Sequence, residues 1–408
     1  MPENPISSRN ILVTKFKLNA LLEITKAIND NPSREKLIDR YETLLREELG
    51  IGKIVLYRLA ETWECMLCSG LNNTLASIDV CKDLLVFDDI TFIRDLNPPL
   101  GIFDIVIPVK RDDKHIAVVL IGDIDEEGEG VSPVIKHLNF IQTLSNIIVV
   151  AIENMRLHQE SIRQAAIKKE LELASGLQNM LIPDPTKLPS GKSFSVSAFY
   201  HPHMDVGGDY YDFIDLGNHE YGFCICDVSG KGISAALIMS NFQANLRALF
   251  TIDIPIDELV FRLNERVNQS TMGERFLTLF VGKYNKKSRE LLYVNAGHNP
   301  PLLYNRSSGV LSRLDSHCIG LGMLDTIPEI IPQKFTIDKG IKLLCYTDGL
   351  VEILQDDLVE AGTGTIEKFL INNEPICNNI DDIVKHHSIL EGNQAIFDDI
   401  TILGLEFR

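Results

Sequence analysis

Basic residues are scarce in this chain: 39 lysines and arginines face 57 aspartates and glutamates, leaving a formal net charge of −18. Such a surface has no cationic surplus with which to neutralise phosphates, which argues against a nucleic-acid partner. Cysteine is thin as well, and eight in 408 residues do not make a disulfide framework. Cys65 and Cys68 form a C-x-x-C with Cys81 beyond, but no second C-x-x-C or C-x-x-H pair completes a zinc site, so they read as buried strand thiols. Cys224 and Cys226, two apart in an apolar strand, read as packing residues. Long apolar runs are missing too. The most apolar, IIVVAI at 147–152, is far too short to cross a bilayer. The N-terminal stretch lacks the basic start, apolar centre and small-residue cleavage site of a secretory signal. A soluble, cytoplasmic protein with neither nucleic-acid nor membrane partners is expected, without repeats or low-complexity tracts.

What is present suffices for two domains, with 45% hydrophobic and 24% charged residues. Residues 14–29 and 33–49 read as helices broken at Pro32 and Ser33, with Ser33 an N-cap. KIVLYRLA and WECMLCSG follow as strands. FDIVIPVKRDDKHIAVVLIGDID reads as a hairpin turning at Arg111–Asp113, and the acidic DIDEEGEG as an exposed loop. The chain turns helical again from Val131. Two helices, a small antiparallel sheet and a return helix resemble, in element order, a GAF-type sensory domain over residues 10–150. Such a domain binds a small ligand or serves dimerisation, and the residues select neither.

The return helix does not stop with that domain. Ile148, Ile152, Met155, Gln159, Ile162 and Ala166 recur at alternating strides of four and three, a heptad seam with one polar position. Leu173, Leu177 and Leu181 then follow at strides of four, so the register shifts near Lys169, and Pro183, Pro185 and Pro189 end the helix. Two readings compete for this linker, residues 151–189. One is a helix packed on its own domain; the favoured one is a parallel coiled coil joining two sensors to two effectors in a homodimer. From residue 190 the chain is rich in strands, with FSVSAFY, YYDFIDL, EYGFCICD, FLTLFVGKYN, ELLYVNAG, PLLYN, IKLLCYTD and ITILGLEF, and helices at 232–250, 255–271 and 380–391. Antiparallel strands with a few helices predict an α+β sandwich.

Acidic residues mark the strand ends of this half. Asp209 opens YYDFIDL after Gly207 and Gly208, and Asp227 closes YGFCICD before the turn VSGKG. Asp348 closes IKLLCYTD, and Asp398 and Asp399 open ITILGLEF. Singly, each is an ordinary turn residue. Together, half-buried by their apolar neighbours, they would repel at a cost of several kcal/mol each unless compensated. Two hard divalent cations remove that problem, since all-oxygen sites suit Mg²⁺ or Mn²⁺, and a metal pair can orient a phosphoryl group for in-line attack.

DVGGDYYDF, CDVSGKGISAAL, VNAGHNPPLLY, YTDGLVE and FDDITIL resemble, in order, the landmarks of the bacterial PPM-type, protein-phosphatase-2C-like serine/threonine phosphatases of the SpoIIE/RsbU branch, across residues 190–408. The resemblance implies an α-β-β-α sandwich holding two Mn²⁺ or Mg²⁺ ions. It carries the ligand roles onto Asp209, Asp227, the Val228 carbonyl, Asp348 and one of Asp398 and Asp399. The family pattern favours Asp398, Asp399 standing at a position often occupied by Asn, and both are kept as candidate ligands. Asp205, Gly208 and Asp212 would support them, Asp212 being equally readable as a packed residue. Asp215 and Lys231 read as solvated, and His201 and His203 as loop residues. His298 of AGHNPP is the candidate proton donor or substrate contact, a turn-stabilising histidine being the alternative. The implied chemistry is hydrolysis of phosphoserine or phosphothreonine by a metal-bridging hydroxide. The implied substrate is a STAS-domain, anti-anti-sigma-type partner, with an unknown small-molecule or protein signal at the sensor. The basic phosphate clamp of other PPM branches has no counterpart here. Two alternatives stand beside this reading: a catalytically silent phosphatase-like scaffold, and another two-metal phosphoesterase such as a nuclease, which the acidic chain disfavours.

Overall fold

The computed structural model describes residues 5–30, 33–71, 78–124, 137–353, 362–391 and 396–408. The chain divides into two compact units, residues 1–165 and 166–408, the division falling inside one long helix. Pro32, most of the acidic loop and the expected restart of the helix at Val131 lie outside the described residues.

The first unit comprises α1 (Pro5–Asn29), α2 (Arg34–Thr43), β1 (Ile51–Leu59), β2 (Trp63–Ser69), β3 (Thr91–Phe92), β4 (Ile105–Arg111), β5 (Lys114–Ile124) and the first part of α3 (Leu138–Asn179). Ser33 caps α2, its hydroxyl accepting from the Lys36 N–H. Asp112 and Asp113 both have positive φ, 49° and 61°, as a tight hairpin turn demands. The strands form an antiparallel sheet in the order β2-β1-β5-β4-β3. Its two faces follow the strand period. Ile54 and Leu56 pack with Leu37, Tyr41, Ile141 and Ile148 of the helices, while Val55 and Tyr57 pack with Val80 and Phe103. Cys65 and Cys68 are exposed rather than buried, because β2 is an edge strand that turns them away from the core.

Along α3 the heptad seam changes character. Ile148 and Ile152 are buried in the first unit's core and Met155 packs against it, so this stretch is a helix packed on its own domain. Gln159, Ile162, Ala166, Leu173 and Leu177 are exposed, Leu177 at 67%. The helix ends at Asn179, ahead of the prolines.

The second unit runs β6 (Phe194–His201), β7 (Tyr210–Gly217), β8 (Glu220–Val228), α4 (Ile233–Leu249), α5 (Ile256–Thr271), β9 (Leu277–Asn285), β10 (Glu290–Ala296), β11 (Leu302–Asn305), β12 (Val310–Arg313), β13 (Gln333–Thr336), β14 (Ile341–Tyr346), α6 (Asp348–Val351), α7 (Gly362–Leu370), α8 (Ile376–His386) and β15 (Ile400–Phe407). Two five-stranded antiparallel sheets result, β13-β10-β9-β8-β7 and β12-β11-β14-β15-β6. In β14 and β15, Leu343, Cys345, Leu403 and Leu405 face the core shared with Phe223 and Phe280. The alternate residues Leu344, Tyr346, Ile400 and Ile402 pack under Ile366, Ile376 and Ile380 of α7 and α8. Met239, Phe242 and Leu259 bring α4 and α5 into the core on the other sheet. An α-β-β-α sandwich is the outcome, as expected.

The expectation that Asp348 closes a strand needs correcting: β14 ends at Tyr346, and Asp348 is the first residue of α6. The four-residue β12 and β13 were not foreseen, because their largely exposed residues carry no apolar alternation.

Asp212 on β7 is fully buried, and Arg247 of α4 donates to both of its oxygens, at 2.8 and 2.9 Å. Tyr210 Oη and the Phe213 N–H complete its partners. Truncating the arginine strands a buried charge. Arg247→Ala is therefore expected to lower unfolding free energy by about 2 kcal/mol, below the range for fully enclosed pairs because Arg247 is half exposed. Adding Asp212→Asn should recover part of the loss in urea titrations, and additive losses would contradict the pairing.

Candidate metal centre

Five aspartates arrive at one edge of the sandwich from both sheets. Asp227 is the penultimate residue of β8, Asp209 immediately precedes β7, Asp398 and Asp399 immediately precede β15, and Asp348 starts α6 beyond β14. Sheet register fixes the flanks. Asp227 pairs with Thr278 of β9, and Tyr346 of β14 with Ile402 of β15.

Each carboxylate is held differently. Asp209 Oδ2 accepts from the hydroxyls of Thr347 and Thr401, at 2.8 and 2.6 Å. The Thr347 hydroxyl in turn accepts from the Thr401 N–H, so the two threonines lock β14 to β15 beneath Asp209. Asp399 is committed to backbone: Oδ1 accepts from the His203 N–H and Oδ2 from the Gly208 N–H. Asp398 pairs with Lys231 Nζ at 2.8 Å, while that ammonium also donates to the Phe397 carbonyl. Lys231 is therefore an ion-pair partner of the cluster, not merely a solvated turn residue.

Mutual burial dominates the electrostatics. Burial, and then repulsion from Asp227 and Asp399, hold the Asp209 carboxyl well above the ordinary carboxylate range against the pull of the two threonines. Asp227 is pushed up to about 7, by burial first and then by Asp348, Asp398 and Asp399. Asp348 and Asp399 are raised as well, chiefly by burial, with Asp398 adding to both. Among the described residues no three acidic, histidine or cysteine side chains converge on one point as a finished ion cage would. The donor chemistry nonetheless fits hard cations: a cluster of carboxylates in mutual repulsion, with one lysine paired to it. Gly208 adds a cradle, since a Cβ there would stand 3.1 Å from the Val228 carbonyl oxygen.

The remaining candidates separate from this group. Asp205 is exposed, and Asp212 belongs to the Arg247 pair. Asp215 is exposed and accepts from the Gly217 N–H. His201 lies in β6 and His203 in the following loop. His298 is buried, and burial pushes its imidazole down to about 3, so it is neutral. Its Nδ1 lies 2.8 Å from the Thr278 hydroxyl and its N–H donates to Asn295 Oδ1. Its buried Nε2 makes no hydrogen bond to the described residues. Sequence reasoning missed Thr347 and Thr401, although each stands within two residues of a singled-out aspartate. It missed Gln178 as well, whose amide pairs with the backbone of Gly207.

Two stacked antiparallel sheets with helices outside and aspartates gathered at one edge make this a protein-phosphatase-2C-like domain. The SiaA-PP2C domain of Pseudomonas aeruginosa has the same fold, with a TM-score of 0.52 at 19% identity, over 60% of this chain and 99% of that one. Residues 217–408 match the family described as Stage II sporulation protein E (SpoIIE), and the C-terminal domain is a SpoIIE-type phosphoprotein phosphatase domain. The chain is 27% identical over 250 residues to phosphoserine phosphatase RsbU of Bacillus subtilis, covering 59% of this chain and 71% of RsbU. It is 27% identical over 189 residues to phosphoserine phosphatase RsbP of the same organism, covering 45% of this chain and 46% of RsbP.

A raised carboxyl makes stability depend on pH. Between about pH 4 and pH 7 the folded domain keeps a proton on Asp227 that the unfolded chain has released. With chelator present, stability is expected to fall as pH rises through that window, and Asp227→Asn should flatten the slope. An unchanged slope in thermal melts of the variant would show that Asp227 is not the group responsible.

Proposed function

We propose that the chain is a divalent-cation-dependent phosphatase of phosphoserine or phosphothreonine on a signalling protein, with the buried carboxylate cluster as its metal centre. The observation that carries this is the mutual burial of Asp209, Asp227, Asp348 and Asp399. Asp209, Asp227, the Val228 carbonyl, Asp348 and Asp398 are assigned as the holders of two Mn²⁺ or Mg²⁺ ions. Asp399, both of whose oxygens are spent on backbone N–H groups, is assigned to shaping the loop instead. Bound cations would supply an acidified water as nucleophile and offset charge on the phosphate ester.

The protein's own groups have defined tasks in this scheme. Thr347 and Thr401 aim the Asp209 carboxylate, and Asp399 holds residues 203–208 against β15. Lys231, paired with Asp398, and Arg275, whose guanidinium donates to the Ser229 carbonyl, place two cations on the turn after β8. Among the described residues they are two basic groups that a phosphate at the cluster would meet. His298, buried and neutral, is assigned to supporting Thr278 opposite Asp227 rather than to proton donation. In keeping with the RsbU likeness, the substrate is taken to be a STAS-domain protein. The first unit is taken as a GAF-like sensor, and the exposed seam of α3 as the site of dimerisation in a cytoplasmic homodimer.

Turnover of a small aryl phosphate should require Mn²⁺, stop with chelator, and fall by about two orders of magnitude or more in Asp227→Asn and Asp348→Asn. A phosphopeptide should be hydrolysed while DNA stays intact, and cleavage of DNA would instead favour the nuclease reading. Metal binding without turnover, lost in the aspartate variants, would mean an enzyme held off by its sensor, whereas no metal binding at all would favour the scaffold. Separately, Leu177→Glu is expected to convert a dimer to a monomer in light scattering, and an unaltered mass would remove the coiled-coil assignment.

A further inference from the structure

We infer that Gln178 is the positioning residue through which the end of α3 sets the cation affinity of the carboxylate cluster; this rests on the metal-centre reading above. Gln178 stands in the last turn of α3 and is 6% exposed. Its side-chain amide pairs with the Gly207 peptide on both sides. Nε2 donates to the Gly207 carbonyl at 2.6 Å, and the Gly207 N–H donates to Oε1 at 3.1 Å. Of the side chains, only an amide of this length offers a donor and an acceptor in the matching arrangement at that reach.

Gly207 is two residues from Asp209 and closely enclosed. A Cβ there would stand 2.6 Å from both Asp399 Oδ2 and Tyr200 Oη. Gly208, next in line, donates to Asp399. The segment before Asp209 is thus gripped at successive residues, by the long helix at Gly207 and by Asp399 at Gly208. Releasing the first grip leaves two buried peptide groups without partners, and the loop must move to find water. Leu177 adjoins Gln178 at the next helical position, about 100° around the axis, and it is 67% exposed. A second copy of the chain docking on that seam would rotate or brace the residue that holds the Asp209 loop.

The test measures Mn²⁺ binding to the full chain by calorimetry, with hydrogen exchange of peptides spanning residues 203–210. Q178A should weaken Mn²⁺ binding about tenfold or more, in the range of losses when a group orienting a metal ligand is removed. It should also speed exchange across the loop. Q178E keeps the length and an acceptor but loses the donor to the Gly207 carbonyl, so it should weaken binding as well, and it serves where Q178A folds poorly. Ile182→Ala is the control, because Ile182 is a core residue just past the helix. It should lower Tm while leaving affinity within about twofold. Wild-type affinity and exchange in both Gln178 variants would overturn the inference. So would an equal loss of affinity in Ile182→Ala, which would reduce Gln178 to general stability. Asp209→Asn and Asp227→Asn report on the premise: wild-type Mn²⁺ binding in both would mean that the metal-centre reading has failed, not merely the role of Gln178.

Discussion

Like charges buried together are the constraint on which the C-terminal domain is arranged. Asp209, Asp227, Asp348 and Asp399 each have the ionised form disfavoured by burial, and their neighbours add to it. A fold selected for stability alone gains by replacing such a group with apolar side chains of similar volume. The domain instead surrounds it with partial compensation: two hydroxyls on Asp209, backbone N–H groups on Asp399, and an ammonium on Asp398. These partners orient oxygens without neutralising the cluster, apart from the single lysine. A site that holds its carboxylates in place and leaves their charge unmet is suited to hard cations arriving from solution.

That arrangement was legible in the sequence to the extent that it depends on strands. Runs such as IKLLCY and ITILGLEF are apolar on both faces, which marks central strands, and an aspartate beside such a run must lie at the sheet's edge. The seam of α3 was legible as a period, but not the point at which it leaves its own core. Asp209 and Asp212 look alike in DYYD, yet they are three residues apart, an odd interval that sends them to opposite faces of an extended chain. One reaches the cluster and the other meets Arg247, 35 residues on, and no local pattern announces that partner. Cys65 and Cys68 misled because composition does not say which strand ends a sheet. Gln178 was invisible for a different reason: its partner is a glycine peptide, which carries no side-chain signature.

His298 sits where the turn-stabilising alternative of its motif places it. Enclosed in the fold with its imidazole neutral, it stands behind Thr278, which lies across the β8–β9 ladder from Asp227. Asn295 ties the same turn to the Leu314 carbonyl and to the His298 N–H. The AGHNPP segment thereby braces Thr278 of β9, the strand that pairs with the one presenting Asp227.

The residues before Asp209 form no regular ladder, so their position depends on what grips them from elsewhere in the chain. Two hydrogen bonds from Gln178, at about 0.5–1.5 kcal/mol each, give about 1–3 kcal/mol to the held arrangement. That is small against the 5–15 kcal/mol that keeps a typical domain folded, so releasing the grip does not threaten the sandwich. It is nevertheless enough to move a two-state loop by about one to two orders of magnitude in population. A contact of this size can change what a site binds while the rest of the domain stays as it is. Gln178 places that grip in the last turn of α3, directly on the peptide two residues before Asp209.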